Sequence, residues 1–144
     1  MPSVLVDTGV WIRLFDRRDG PRDREDVEAL FDLVRAHTIV LPWPIAFETL
    51  RTRLMRNRIA TSLLEREMKA PNISFLDDRD YRDEAFKMAI DSPRSGRALS
   101  MVDCLLRLVM DDRNVKIDYL ATYNDADFHD VCARRRITMI PGEL

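Results

Sequence analysis

The chain has 144 residues, of which 46% are hydrophobic and 33% charged, and its formal net charge is −2. These values predict one globular domain, 1–144, with a full core, and exclude a general basic attraction for nucleic acid; any such contact needs a local basic patch. No apolar run reaches membrane-span length and the opening residues lack a signal-peptide pattern, so a cytoplasmic protein is expected.

Val4-Leu5-Val6 reads as a buried parallel strand that ends in Asp7, with Thr8 capping the helix that follows. Residues from Asp16 to Arg22 form a charged turn with Gly20 and Pro21 as breakers. An amphipathic helix is expected from Glu25 to Ala36, with Val27, Leu30, Phe31 and Val34 on one face. Thr38 to Leu41 is a short strand, stopped by Pro42-Trp43-Pro44. A helix from about Ile45 to Arg56 would place Phe47, Leu50 and Leu54 on one face, and a second runs from Ile59 to Met68. Ile73 to Leu76 reads as an edge strand, Tyr81 to Ile90 as a helix, and Asp91 to Arg97 as a loop.

Ser100 opens a strongly apolar helix carrying Val102, Leu105, Leu106 and Val109. Ile117 to Thr122 is a strand, and Asn124 to Phe128 a polar turn. A short helix to about Ala133 then leads to a last strand, Ile137 to Ile140. Strands alternating with helices predict an α/β fold with a mainly parallel central sheet and helices on both faces. Cys104 and Cys132 lack CxxC spacing and read as structural thiols, and His37 and His129 lack zinc-ligand spacing.

In open α/β sheets, ligands bind beyond the carboxyl ends of the strands. Asp7 stands at such an end, and a carboxylate there is costly unless paired, hydrogen-bonded or metal-bound. Asp103 follows Ser100 by three residues, as in a capping box, and the helix dipole alone would stabilise it. Its apolar neighbours nonetheless place it at a buried helix start. Glu48 lies between Phe47 and Leu50, near the edge of the expected buried stripe, though pairing with Arg51 or Thr52 at the surface would also account for it. Asp125 and Asp127 follow the strand through Thr122, where turn chemistry alone can explain an aspartate. Three or four carboxylates around one cleft need a counter-charge. All-oxygen ligands favour Mg²⁺ or Mn²⁺, which act on phosphoryl oxygens.

The ordered set formed by Val4–Thr8, Ile45–Leu50 around Glu48, Ser100–Leu105 around Asp103, and Leu120–Phe128 resembles the PIN-domain nucleases across nearly the whole chain. The resemblance implies a metal-dependent ribonuclease that leaves a 5′-phosphate. The catalytic and metal-binding acids would be Asp7, Glu48, Asp103 and a fourth. Many members place that fourth acid two residues after the threonine matching Thr122, where this chain has Asn124. Others have Asn there with an acid three residues on, which favours Asp127 over Asp125. The chain's length and single domain look most like the toxin of a VapBC-type toxin–antitoxin pair that blocks translation.

Arg51, Arg53, Arg56 and Arg58 follow Glu48 and form either a solvated surface or a patch for RNA phosphates. Surplus apolar residues around Leu50–Leu64 suit a plain core, a homodimer or a groove for a small antitoxin protein. The rival readings are another acid-cluster Mg²⁺-dependent phosphate-transfer enzyme and a non-catalytic PIN-like interaction module. A dehalogenase-like phosphatase would want Asp two residues after Asp7, where Gly9 stands.

Overall fold

The computed structural model describes residues 2–16 and 21–140, with residues 21–24 described by their backbone only. The first strand, β1 (Ser3–Val6), is buried at all four positions. This is the pattern of a strand covered on both faces. It leads into α1 (Thr8–Phe15), whose Val10, Trp11, Leu14 and Phe15 are buried. Helix α2 (Pro21–Arg35) follows, with proline at its first position, where a missing N–H costs nothing. Pro21 and Arg22 thus belong to the helix and not to the expected turn, whose residues 17–20 lie outside the described residues.

Strand β2 (Thr38–Pro42) runs directly into α3 (Trp43–Leu50). The helix expected as far as Arg56 stops here. Thr49 and Thr52 turn their hydroxyls onto the carbonyls of Ile45 and Thr49, and a separate 3₁₀ turn covers Arg53–Arg56. Such hydroxyl-to-carbonyl bonds compete with the helical ladder. Asn57 then caps α4 (Arg58–Met68), accepting from the backbone of Ile59 and Ala60.

Strand β3 (Ile73–Leu76) and α5 (Arg82–Asp91) come next. The loop expected after α5 contains a 3₁₀ turn at Ser92–Ser95, closed by Gly96 at φ 87°. Helix α6 (Met101–Asp111) and strand β4 (Tyr119–Ala121) follow. Helix α7 (Asp125–Arg135) and strand β5 (Thr138–Ile140) end the described fold. Asp125 to Phe128 is therefore the first turn of a helix, with Phe128 fully buried beneath it. Burial of such a ring is worth about 1.5–3 kcal/mol and anchors α7.

The five strands are all parallel, in the order β3-β2-β1-β4-β5. The chain winds outward from β1 to β2 and β3, then returns past β1 to β4 and β5. Right-handed crossovers accordingly put α1–α4 on one face and α5–α7 on the other. The winding reverses between β1 and β4, and the two strands part beyond their carboxyl ends. That is the crevice where open α/β sheets bind ligands. β3 is an edge strand, as its weak pattern predicted, and exposes Phe75. No helix among the described residues is long and apolar enough to cross a membrane.

Candidate active site at the β1–β4 crevice

Asp7 leaves the carboxyl end of β1, is only 7% exposed, and caps α1 itself. Its Oδ1 accepts from the Thr8 backbone N–H at 2.8 Å, so the cap is Asp7 and not Thr8 as expected. Its Oδ2 accepts from the Thr122 hydroxyl at 3.0 Å, across the crevice from the end of β4. Thr122 is fixed in turn, because its hydroxyl oxygen accepts from the Asn124 backbone N–H at 3.0 Å. The two strands on either side of the reversal are therefore joined through one carboxylate.

Thr8, freed from capping, gives its hydroxyl to Glu48 Oε2 at 2.6 Å. Glu48 reaches this position because α3 is oriented differently from the sequence expectation. Its buried face is Ile45, Ala46 and Thr49, while Phe47 and Leu50 point outward and Leu54 is buried from the 3₁₀ turn instead. Successive helical positions differ by about 100°, which leaves Glu48 on the flank of the buried face that looks toward α1. Its partner is thus a residue of the crevice and neither Arg51 nor Thr52.

Asp103 forms the expected capping box of α6. Its backbone N–H donates to the Ser100 hydroxyl at 3.0 Å, and its Oδ2 accepts from the Ser100 backbone N–H at 3.4 Å. The cap and the helix dipole fix it at the helix start, half-buried.

Asp125 and Asp127 both stand in the first turn of α7, so their side chains diverge by roughly 200°. Asp125 is exposed. Asp127 is half-buried and held by Arg97, whose Nε donates to Oδ1 at 2.6 Å. Arg107 donates to the Asp127 carbonyl at 2.8 Å and forms a two-pronged pair with the Asp130 carboxylate at 2.7 and 2.5 Å. That pair drives the Asp130 carboxyl far below its ordinary value.

The electrostatics of Asp7 run the other way. Burial raises its carboxyl pKa, against the hydrogen bonds from Thr122 and Thr8, and the Asp103 and Glu48 carboxylates raise it further. The structure thereby brings Asp7, Glu48 and Asp103 into one electrostatic neighbourhood, while Asp127 is turned to an arginine. Among the described residues, no three His, Cys, Asp or Glu side chains are gathered closely enough to hold a cation as they stand. The donor set nonetheless suits a hard divalent ion. The groups that bear most on Asp7 are hydroxyl and amide donors and two further carboxylates, and none of them carries positive charge.

The PIN-domain family model matches residues 4–134, a span that takes in Asp7, Glu48, Asp103 and the Thr122–Asp127 segment. The chain belongs to the PIN-domain family. PIN domains have a nuclease-type fold and are generally metal-dependent ribonucleases. No curated protein matches this chain.

The arginines of this PIN domain are less regular than the sequence implied. Arg51 ends α3, Arg53 and Arg56 lie in the 3₁₀ turn, and Arg58 starts α4, so the four share no single helix face. All four are exposed, and Arg53 pairs loosely with Asp16 at 3.4 Å. Three positioning groups went unassigned from the sequence: the hydroxyls of Thr8 and Thr122, and Arg97. The threonines had a signal at the carboxyl edge, since Thr122 directly follows β4 and Thr8 follows the Asp7 that leaves β1. Arg97 had none; its partner stands 30 residues away.

Proposed function

We propose that this PIN domain is an endoribonuclease using Mg²⁺ or Mn²⁺, and that it serves as the cytoplasmic toxin of a VapBC-type pair, blocking translation until a small antitoxin binds it. The observation that carries the nuclease reading is Asp7: a buried carboxylate, crowded by Glu48 and Asp103, at the crevice where the sheet reverses. The toxin reading extends the family membership, whose match over residues 4–134 takes in all the acid-bearing segments.

Asp7, Asp103 and Glu48 would hold the cation, with Asp127 as the fourth acid once Arg97 releases it. A bound divalent ion supplies neutralisation at the phosphoryl oxygens and a lower pKa for the attacking water. The protein supplies position. Thr122 and Thr8 fix both oxygens of Asp7, Thr8 holds Glu48, and the Ser100 box holds Asp103. Glu48, on the flank facing α1, orients the water whose oxygen attacks phosphorus. The P–O3′ bond breaks, the leaving 3′-oxygen takes a proton, and the new end carries a 5′-phosphate. Arg51, Arg53, Arg56 and Arg58 would hold phosphates along the strand.

End-labelled single-stranded RNA with Mn²⁺, Mg²⁺ or EDTA tests this. Cleavage is expected with either cation, none with EDTA, and a loss of at least about 100-fold in Asp103→Asn, as for removal of a group that stabilises transition-state charge. RNA left intact by the wild-type chain in every cation would overturn the nuclease reading. Expression in a bacterial host separates the toxin role. The wild-type chain should arrest translation and Asp103→Asn should not; unimpaired growth with an active nuclease would remove that role alone.

A further inference from the structure

Helix α3 has three distinct sides. Ile45, Ala46 and Thr49 face the core, and Glu48 looks into the crevice. Trp43, Phe47 and Leu50, spaced four and three residues apart, form one outward stripe, with Trp43 43% and Phe47 62% exposed. The Trp43 ring lies over Phe75 of β3 with centroids 4.3 Å apart and planes 23° apart, and the Phe47 ring is 6.4 Å from it. Large aromatic rings left in solvent, yet ordered against each other, form a platform and not a scatter of stray apolar residues.

Two further features say what the platform receives. Its place is the carboxyl edge of the sheet. Leu5 is level with Val40, so Asp7 is level with Pro42, and Trp43 is the next residue. Neighbouring strands are about 4.8 Å apart and α3 is about 10 Å across, so a few nucleotides would reach from Asp7 over the helix to the rings. The charge around the platform is also local. Residues 43–64 contain four arginines and one acid, Glu48, in a chain whose net charge is −2. Arg51 ends α3 at the helical angle between Glu48 and the stripe, on the path such a strand would take. Aromatic faces beside a basic track are the chemistry of single-stranded nucleic acid, because every base has a face to stack.

We propose that Trp43 and Phe47, backed by Phe75, form a base-stacking platform for single-stranded RNA, placed across α3 from the acids, with Arg51 between. The proposal rests on the ribonuclease reading and adds the substrate's form. The platform selects an unpaired strand by stacking bases that lie outside the cleaved linkage, whereas a duplex keeps its bases stacked on each other.

Fluorescence reads this directly, since the chain has two tryptophans and the other, Trp11, is buried. The full-length Asp103→Asn chain, in Mg²⁺, is titrated with oligoadenylate, with an abasic ribose-phosphate strand of equal length, and with an equal-length RNA duplex. Oligoadenylate should quench Trp43 emission, and Trp43→Phe should abolish the quench while keeping the affinity. Trp43→Ala with Phe47→Ala should weaken oligoadenylate about tenfold, leave the abasic strand unchanged and leave the salt slope unchanged. Arg51→Ala with Arg56→Ala should instead make the slope shallower by about 0.7 per lost phosphate contact. Oligoadenylate bound with unaltered emission and unaffected by the ring variants would overturn the platform while active wild-type chain kept the nuclease reading. A dimer that Trp43→Ala dissociates, with RNA affinity per chain unchanged, would make this face a contact between copies and also overturn it. Wild-type chain that neither binds nor cuts RNA would remove both readings.

Discussion

Two groups of acids are held by opposite chemistry. Asp127 and Asp130 on α7 are gripped by Arg97 and Arg107. Asp7 and Glu48 are held by threonine hydroxyls and one backbone amide, and Asp103 by its capping serine. An arginine neutralises the carboxylate it holds and leaves it satisfied. A hydroxyl orients a carboxylate without neutralising it, and burial first, then the nearby Asp103 and Glu48 carboxylates, raise the cost of ionising Asp7. The comparison separates acids tied down by arginine from acids that, under the proposed function, would take a cation.

The largest effect expected from this contrast is at Asp7. Asp7→Asn should abolish cleavage yet leave the metal-free protein as stable as wild type or more so, because a buried charge is removed. The bonds can survive: the new amide oxygen still accepts from Thr8, and the Thr122 hydroxyl can turn from donating to accepting. Thermal melts in EDTA alongside cleavage assays check this. A melting temperature several degrees lower would mean that the carboxylate stabilises the fold, and would erase the contrast.

An intermediate effect is expected at α7. Asp127→Ala should raise the Mn²⁺ concentration for half-maximal cleavage severalfold, while Asp125→Ala, removing an exposed side chain, should stay near wild type. Calorimetric Mn²⁺ titration sharpens the comparison, since Arg97→Gln should tighten binding if the arginine competes with the cation for Asp127. Equal affinities in wild type, Asp127→Ala and Arg97→Gln would leave Asp127 wholly structural and the site with three acids.

The smallest effect is expected at Asp130. Its carboxyl pKa is lowered from 3.8 by the Arg107 hydrogen bonds. A lowered folded-state pKa gives stability that is present above the unfolded value and lost as pH falls. The pair is largely open to water on the Asp130 side, so Asp130→Asn should cost at most about 1 kcal/mol, with cleavage intact at neutral pH. Melts from pH 7 down to about 3 should show the wild-type advantage shrinking; a loss of activity at neutral pH would place Asp130 with the working acids instead.

Much of this is legible in the sequence. The run Val4–Val6 ending in Asp7, the Ser100–Asp103 spacing, and the alternation of strands and helices each depend on local period and capping, which are written into neighbouring residues. So the parallel sheet, its edge strand at Ile73–Leu76, and the candidacy of Asp7 and Asp103 could be read directly, whereas Glu48 became a candidate only in the company of those two acids. Burial on α3 could not. Phe47 and Leu50 repeat at helical spacing as a core stripe would, and periodicity identifies a face without saying which way it points. Packing of Ile45, Ala46 and Thr49 against the sheet turned that stripe outward and aimed Glu48 at Thr8. The partners of the acids were likewise a tertiary matter. Thr122 meets Asp7 across 115 positions of sequence, and Arg97 meets Asp127 across 30. Hydrogen bonds over such separations follow from the reversal of the sheet and the docking of α6 beside α7. The sequence by itself determined which carboxylates existed and on which elements they stood; the fold decided which were paired with arginine and which were held by hydroxyls and a capping serine.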